Sequence, residues 1–224
     1  MSDKDHHTPP DDPRAITLTY RHEHLWWFGA DDALETWHVS AGIHEGETGA
    51  EAHVGDMSIT LVDLYQTHDP FALLDGADAE LGRIAQALFD PGDGQLDPDL
   101  DEQLEPAGDR ILILHSVRLT PPWRGFGLGA LLAGTAIRKL SSGARAAVCY
   151  PAPLGGPDDP GHDDHPDSRR EWQHAVASLQ RVWGRLGFTL FRDGVHVLDL
   201  SLVTLDEKLG QLRRHAKRYN TSGS

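Results

Sequence analysis

Between residues 110 and 140 a strand, a glycine-rich loop and a helix follow one another, and this order constrains the fold more than any other feature. Arg110–Leu119 (RILILHSVRL) is an apolar run of strand length, and Leu128–Leu140 has apolar residues at helical intervals. Between them, three glycines alternate in RGFGLGA from Arg124 to Ala130. Glycine accepts left-handed dihedral angles and lets backbone N–H groups approach a ligand. At the start of a helix, such a loop predicts either a phosphate-binding site or a tight turn that binds nothing.

Two familiar phosphate loops do not fit these residues. A P-loop ends in Gly-Lys-Ser or Gly-Lys-Thr, whereas here Ala130 follows Gly129. Gly125, Gly127 and Ala130 satisfy the G-x-G-x-x-G/A spacing of dinucleotide-binding folds, but residues 122–124 separate the loop from its strand. Only one crossing helix and an antiparallel hairpin are predicted downstream, and no acidic residue ends a strand where the ribose would lie. The sequence therefore argues against a dinucleotide site.

The remaining chain predicts alternating strands and helices with polar segments between them. Residues 1–14 are nearly free of apolar side chains, which predicts a disordered tail. Strands are predicted at 15–20, 36–43, 57–64 and 145–150, a helix at 70–88, and a surface loop or short helix at 90–109. Ser168 and Glu171 form a capping box that predicts the start of a helix ending before Gly187. Asp193-Gly194 predicts a hairpin turn, and residues 205–224 an amphipathic C-terminal helix and tail beyond a domain spanning 15–204.

Residues 110–200 resemble the GNAT-type N-acetyltransferases. The segment LTPPWRGFGLG, from Leu119 to Gly129, is similar to their acetyl-CoA signature, usually written Arg/Gln-x-x-Gly-x-Gly/Ala. Further on, WGRLGF, from Trp183 to Phe188, is similar to the Tyr-x-x-Leu-Gly-Phe phrase that commonly ends a helix of that family. The resemblance implies an α/β fold with a mixed, mostly antiparallel central sheet and helices on both faces.

The resemblance also implies where acetyl-CoA, the co-substrate of that family, would bind. The pantetheine arm would lie between two strands that splay apart, and the pyrophosphate at the glycine-rich loop. The residues implied for the arm are Val117, Arg118 and Leu119, and those implied for the pyrophosphate are Arg124, Gly125, Phe126, Gly127, Leu128, Gly129 and Ala130.

Acetyl transfer to an amine needs a base for the amine and a proton donor for the departing thiolate. Many relatives carry a carboxylate base on the strand before the loop, and His115 lies at about that position. The two-residue period of a strand predicts that His115 shares a face with Val117 and Leu119. A histidine there is either the base or a packed strand residue.

The proton donor is less clear, because Trp183 stands where the family often has tyrosine and an indole N–H is a very weak acid. Tyr150, at the end of the adjoining strand, either replaces it or packs beside Cys149 and Pro151. The asparagine found early in this helix in many relatives is also missing. Positioning alone can still accelerate such a reaction.

These observations predict an acyltransferase that moves an acetyl group from CoA to a primary amine by direct attack. The alternative is a non-catalytic acyl-CoA-binding or regulatory module. The chain has 20 Lys and Arg against 35 Asp and Glu, a net charge of −15, which favours a cationic small-molecule or peptide acceptor and predicts that nucleic acid is no partner. One cysteine, no leader and no apolar run near the roughly 20 residues of a membrane span predict a cytoplasmic protein without membrane contact. A homodimer is also expected from the family.

Other polar and aromatic clusters give weaker signals. Residues 162–165 (HDDH) and the pair His22 and His24 lack the spacing of a metal site, so no metal is expected. Cys149 lies in an apolar strand and is expected to be buried and inert. Three tryptophans of the first half are predicted either to line an acceptor pocket or to pack in the core: Trp26, Trp27 and Trp37.

Overall fold

A single seven-stranded sheet organises the computed structural model of the chain, which describes residues 8–24, 26, 34–45, 50–67, 69–153 and 166–216. The strand order is β1-β2-β3-β4-β5-β7-β6. The strands are β1 Thr17–His22, β2 Leu34–Glu45, β3 Ala50–Asp63, β4 Arg110–Leu119, β5 Ala144–Cys149, β6 Thr189–Arg192 and β7 Val195–Asp199. The helices of the described residues are α1 Pro70–Asp75, α2 Ala79–Leu88, α3 Pro98–Gln103, α4 Leu128–Leu140, α5 Pro166–Gly184 and α6 Thr204–Ala216.

The sheet is mixed but mostly antiparallel, because β4 and β5 are the one parallel pair among the described strands. A parallel connection needs a crossover, and α4 supplies it between β4 and β5. β6 and β7 form the predicted hairpin, with Asp193 and Gly194 both at positive φ in the turn. The predicted fold class is confirmed.

Helices cover both faces of the sheet and bury a separate apolar core on each. We name them by the helix at their centre. The α4 core joins one face of the sheet to α4, α5 and α6, and includes Leu112, Leu114, Leu186 and Leu209. The α2 core joins the other face to α1, α2 and α3, and includes Ile111, Ile113, Ile84 and Leu100. Alternate residues of β4 therefore enter opposite cores, as the period of a strand requires.

Two helices begin at positions that the sequence did not predict. The predicted helix over 70–88 is divided: α1 ends before Gly76, and Asp78 accepts hydrogen bonds from the N–H groups of Glu80 and Leu81 to cap α2. The apolar period continues across this break, which is why the period alone predicted one helix. α5 begins at Pro166, so Ser168 lies inside the first turn and is not its cap.

Two segments that were predicted to lie outside the domain, the tail before residue 15 and the C-terminal helix, have described structure. Pro13–Ala15 forms a 3-10 turn in which the Asp12 carboxylate accepts from the backbone N–H of Arg14. Residues 1–7 lie outside the described part of the chain. At the other end, α6 packs on α4 and buries Leu205 and Leu209. Helix α6 is therefore part of the domain, because its leucines belong to the α4 core. No helix among the described residues is long and apolar enough to cross a membrane.

Candidate active site

A cleft opens where β4 and β5 stop pairing. The two strands are paired from Arg110 and Ala144 to Leu114 and Cys149. Beyond Leu114, β4 continues to Leu119 with β3 as its neighbour. The cleft between the separated strand ends has a volume of about 690 Å³. Its walls come from the ends of β4 and β5, the start of α2 and one side of α5.

The free edge of β4 presents backbone groups to this cleft. The N–H of Thr120 donates to the Val54 carbonyl on the β3 side, with 2.9 Å between N and O. Backbone groups alternate in direction along a strand, so those of Val117 and Leu119 point away from β3 and into the cleft. The arm-binding backbone implied by the resemblance therefore lies on the cleft wall.

The glycine-rich loop ends in a helix start that no side chain caps. Gly127 is the N-cap of α4, with φ 74° and ψ 8°, and no side chain accepts from the first N–H groups of the helix. Gly125 also has a positive φ of 87°. A Cβ added at either glycine would meet no atom within 4 Å, so the backbone conformation and not crowding requires glycine there. The open side of the loop leaves room for an anion.

Other residues of the loop hold it in place. Phe126, Leu128 and Ala130 are buried in the α4 core, so only their backbone groups are available to a ligand. The Arg124 Nε donates to the Leu119 carbonyl across 2.8 Å, which leaves its terminal nitrogens for an anion. Arg118 is exposed and lines the cleft with its backbone neighbours.

His115 is the extra residue of a β-bulge. On β3, Ser58 and Ile59 are consecutive, but their partners on β4 are Ser116 and Leu114. The bulge shifts the alternation, so that Leu114 and Val117 both contact the α4 core. The prediction that His115 shares a face with Val117 and Leu119 is therefore wrong, because that prediction assumed an unbroken strand.

The imidazole of His115 faces the start of α2. Its Nε2 lies 3.7 Å from Oδ2 of Asp78 and 3.8 Å from Oε2 of Glu80, and the ring lines the cleft. Burial raises the pKa of the Glu80 carboxyl, and the nearby Asp78 carboxylate raises it further, against the lowering effect of His115 and Arg83. Sequence reasoning missed both carboxylates. The cap signal of Asp78 was present in the sequence, but its proximity to β4 arises only in the fold.

Tyr150 is held from two sides at the opposite wall. The Arg83 Nη1 donates to the Tyr150 hydroxyl oxygen across 3.2 Å, and the guanidinium carbon lies 5.2 Å from the ring centroid. On the other side is the β6–β7 turn, where a Cβ added at Gly194 would lie 3.0 Å from Cε2 of Tyr150. Since arginine only donates, the hydroxyl proton remains able to reach another acceptor. Arg83 was also missed by sequence reasoning.

One side of α5 forms the apolar wall of the cleft. Trp172, Ala175, Leu179 and Trp183 recur at helical spacing and line it. Trp183 is nearly buried and meets Phe188 edge-on, with 6.4 Å between ring centroids.

Burial, with the Glu80 charge as a second cause, raises the pKa of the Cys149 thiol far above its ordinary value. Cys149 is therefore held as a neutral thiol.

The other aromatic and histidine candidates lie elsewhere. Trp37 stacks on His22 with 5.1 Å between centroids and packs against the α4 core, while Trp26 is exposed. Neither tryptophan lines the cleft. Trp27 and residues 162–165 lie outside the described residues. Within the described ranges, no group of three or more His, Cys, Asp or Glu side chains is arranged to hold a metal ion.

Comparison with known proteins finds similarity in solved structures alone. No family profile and no curated protein matches the chain. The KacTA–DNA complex gives a TM-score of 0.38 at 11% identity, covering 88% of this chain and 99% of the matched chain. AtaTR bound with AcCoA gives 0.37 at 11% identity, covering 88% and 98%. A tyrosine-to-phenylalanine mutant of KacT gives 0.35 at 10% identity, covering 87% and 98%.

One of these structures corrects an expectation drawn from the net charge. The exclusion of nucleic acid as a partner is corrected, because one of the structures that the chain matches is the KacTA–DNA complex. The charge of −15 is a sum over the whole chain. Such a sum describes neither a single surface nor an assembly that includes another protein.

Proposed function

We propose that the chain is an acetyl-CoA-dependent N-acetyltransferase that acetylates a primary amine by direct attack. The observation that carries this proposal is the gap between β4 and β5 beyond Leu114 and Cys149. At this gap a free strand edge and the side chains of His115 and Tyr150 line one cleft. Arg124, which also lines the cleft, leads into the loop that ends at the uncapped start of α4.

Binding of acetyl-CoA would use mainly backbone groups. The N–H and carbonyl of Val117 and the N–H of Leu119 offer hydrogen bonds to the amide groups of the pantetheine arm. The Leu119 carbonyl already accepts from Arg124. The uncapped first turn of α4, reached past Gly125 and Gly127, offers N–H donors and the positive end of the helix dipole to the pyrophosphate. The terminal nitrogens of Arg124 add positive charge beside them.

The side chains of the cleft supply a base and an acid. The amine nitrogen attacks the thioester carbon, the C–N bond forms and the C–S bond breaks. His115 Nε2 accepts the amine proton, and the carboxylates of Asp78 and Glu80 stabilise the resulting imidazolium. Tyr150 gives its hydroxyl proton to the departing sulfur, while Arg83 holds the phenol oxygen in place. Trp183 takes no part in proton transfer.

The acceptor we favour carries positive charge. Its ammonium form would be attracted both by the overall charge of −15 and by the two carboxylates at the start of α2. Small amines, polyamines and basic peptide termini share this chemistry.

Calorimetry with acetyl-CoA tests the binding half of the proposal. Gly129 has ordinary helical dihedrals and its nearest neighbour to an added Cβ is Leu119 Cδ1 at 3.8 Å, so it tolerates a side chain. Gly129→Glu should weaken acetyl-CoA binding by about tenfold or more, because it puts a carboxylate where the pyrophosphate would lie. Gly129→Gln, of the same size without charge, is the matched control and should bind more tightly than Gly129→Glu. Absence of wild-type binding would refute the proposal.

Release of free thiol in the presence of a panel of amines tests the catalytic half. Turnover that depends on a primary amine is the expected result. Tight acetyl-CoA binding without turnover on any amine would instead identify a non-catalytic acyl-CoA-binding module.

A further inference from the structure

An ion-pair cluster outside the cleft joins the β6–β7 hairpin to α3. Nη1 of Arg192, the last residue of β6, lies 2.5 Å from Oδ2 of Asp97, and its Nη2 lies 3.3 Å from Oδ1 of the same carboxylate. Nη2 also donates to Oδ2 of Asp99 across 2.9 Å. We call Arg192, Asp97 and Asp99 the hairpin bridge. None of the three lines the cleft, so the proposed reaction gives them no role.

The hairpin lies at the edge of the sheet, and among the described strands β6 has no neighbour except β7. The turn follows directly after Arg192, with Asp193 and Gly194 at φ 49° and 81°. Nδ1 of His196 donates to the Gly194 carbonyl across 2.9 Å, which fixes the shape of the turn from within the hairpin. A surface opening of about 490 Å³ is lined by residues of α3 and β6. The hairpin bridge, and not apolar packing, therefore joins these two elements there.

The hairpin bridge is connected to both sides of the Tyr150 ring. The backbone N–H of Asp97 donates to the carbonyl of Leu88, the last residue of α2, across 2.8 Å. The same helix carries Arg83, whose Nη1 donates to the Tyr150 hydroxyl oxygen. On the other side, a Cβ added at Gly194 in the turn would lie 3.0 Å from Cε2 of the ring. The ring therefore lies between α2 and the turn, and the bridge links these two elements to each other.

We propose that the hairpin bridge positions Tyr150 for proton donation to the departing sulfur, with Arg192 as a positioning residue. This inference rests on the proposed function, in which the Tyr150 hydroxyl is the acid. The bridge keeps the turn at a fixed distance from α2, so the ring between them keeps one orientation. Without the bridge the turn moves more freely, and the hydroxyl is less often aligned with the sulfur. Because the bridge touches no substrate, its loss should change kcat and leave the affinity for acetyl-CoA unchanged.

Arg192→Gln tests the inference in the thiol-release assay and in calorimetry. We expect kcat to fall about three- to tenfold with acetyl-CoA affinity unchanged, and Arg192→Lys, which keeps the charge facing Asp97, to retain most of the activity. Arg138→Gln is the matched control, because it breaks the 2.7 Å ion pair with Asp206 between α4 and α6, away from the cleft. An unchanged kcat in Arg192→Gln would overturn the inference and leave the proposed function standing.

A double-mutant cycle with Tyr150→Phe separates positioning from general damage to the fold. If the bridge acts through the hydroxyl, Arg192→Gln should lower kcat when Tyr150 is present and change it by less than about twofold in the Tyr150→Phe background. An equal loss in both backgrounds would show that the substitution harms the enzyme in another way, and the inference would be overturned.

The motion of the Tyr150 ring gives a readout that needs no reaction. In protein with ¹³C-labelled tyrosine, the flip rate of this ring, measured by NMR relaxation, should rise in Arg192→Gln and keep its wild-type value in Arg138→Gln. An unchanged flip rate in Arg192→Gln overturns the inference even if kcat falls. A wild type that acetylates no amine overturns the proposed function and the role of the hydroxyl as acid, whereas a raised flip rate would still establish that the bridge holds the ring.

Discussion

The hydroxyl oxygen of Tyr150 accepts a hydrogen bond from Arg83, and its proton remains available for another acceptor. Arg83 approaches the oxygen from α2, and the ring is held between the guanidinium and the turn at Gly194. A donor fixed in this way loses little conformational freedom when it meets a departing sulfur. The same hydroxyl would be much less useful if it were already donating to the protein.

We expect Tyr150→Phe to lower kcat by about ten- to a hundredfold, the range of one general acid, and to leave acetyl-CoA affinity unchanged. A thiol-release assay measures kcat, and calorimetry measures the affinity for acetyl-CoA. Tyr20→Phe is the matched control, since Tyr20 lies on β1 and does not line the cleft. A variant as active as the wild type would exclude Tyr150 as the acid.

Glu80 predicts a pH dependence of stability with a definite sign. Its folded pKa is raised above the ordinary 4.5, mainly by burial. At pH values between the unfolded and the folded pKa, the folded protein therefore holds a proton that the unfolded chain has released. The stability that the neutral carboxyl allows is present below the unfolded pKa and is lost as pH rises through the folded one.

Glu80→Gln removes this loss. The free energy of unfolding of the variant, minus that of the wild type, should therefore increase between about pH 4 and pH 8. Urea unfolding at several pH values measures it, with Glu102→Gln on the exposed side of α3 as control. A difference that is flat, or that falls with pH, would contradict the shift.

For single residues, the sequence predicted which side chains line the cleft better than it predicted what those side chains contact. His115 and Tyr150 were chosen from position and chemistry, and both line the cleft. The bulge at His115 could not be predicted, because no local residue marks it and it depends on the register with β3. Asp78 and Glu80 lie more than 30 residues from His115 in the sequence. Residue periodicity predicts single helices and strands, so it could not predict this contact.

Among the elements, α4 has close neighbours at its middle residue, Gly134. A Cβ added at Gly134 would lie 2.6 Å from Leu186 Cδ2 and 2.9 Å from Leu209 Cδ2. Both leucines are fully buried. Glycine in the middle of this helix therefore lets α6 and the turn that follows α5 approach α4 closely.

Gly134→Ala should destabilise the protein by about 1–3 kcal/mol, the range for overpacking, although alanine is the better helix former. Gly129→Ala, in the first turn of the same helix, should be neutral or stabilising by up to about 1 kcal/mol. Urea unfolding of both variants provides the comparison. Equal stabilisation by the two substitutions would show that the close approach does not exist.

The elements themselves were largely predictable where local signals agree. The strand, loop and helix over 110–140 follow from an apolar run, alternating glycines and a helical period that all indicate the same boundaries. The division between α1 and α2 was missed although Gly76 and Asp78 are stop and start signals. The apolar residues on the two sides keep one period because both helices pack on the same core.

The whole molecule uses α6 to complete a core, which bears on its oligomeric state. Leu205 and Leu209 are buried against α4 within one chain, so they are not available to a second subunit. The homodimer remains a prediction and would need another surface. Leu202 and Val203 are exposed just before α6.

Leu209→Ala should cost about 2–5 kcal/mol, as expected for a buried leucine, with a Tm that does not depend on protein concentration. Leu202→Ala, half exposed, should change stability by no more than about 0.5 kcal/mol. Thermal unfolding at two protein concentrations is the measurement. A Tm of the variant that rises with concentration would place Leu209 at an interface.

The early end of the pairing between β4 and β5 leaves the sheet one partner short along residues 117–119. A bound arm with amide groups would act there as a surrogate strand, and the ligand would complete the secondary structure of its own receptor. The amides of Val117 and Leu119 would then exchange with solvent quickly in the free protein and slowly in the complex, while their β3-bonded neighbour Arg118 would be protected in both. On this view the cleft is a strand position that the chain itself leaves open.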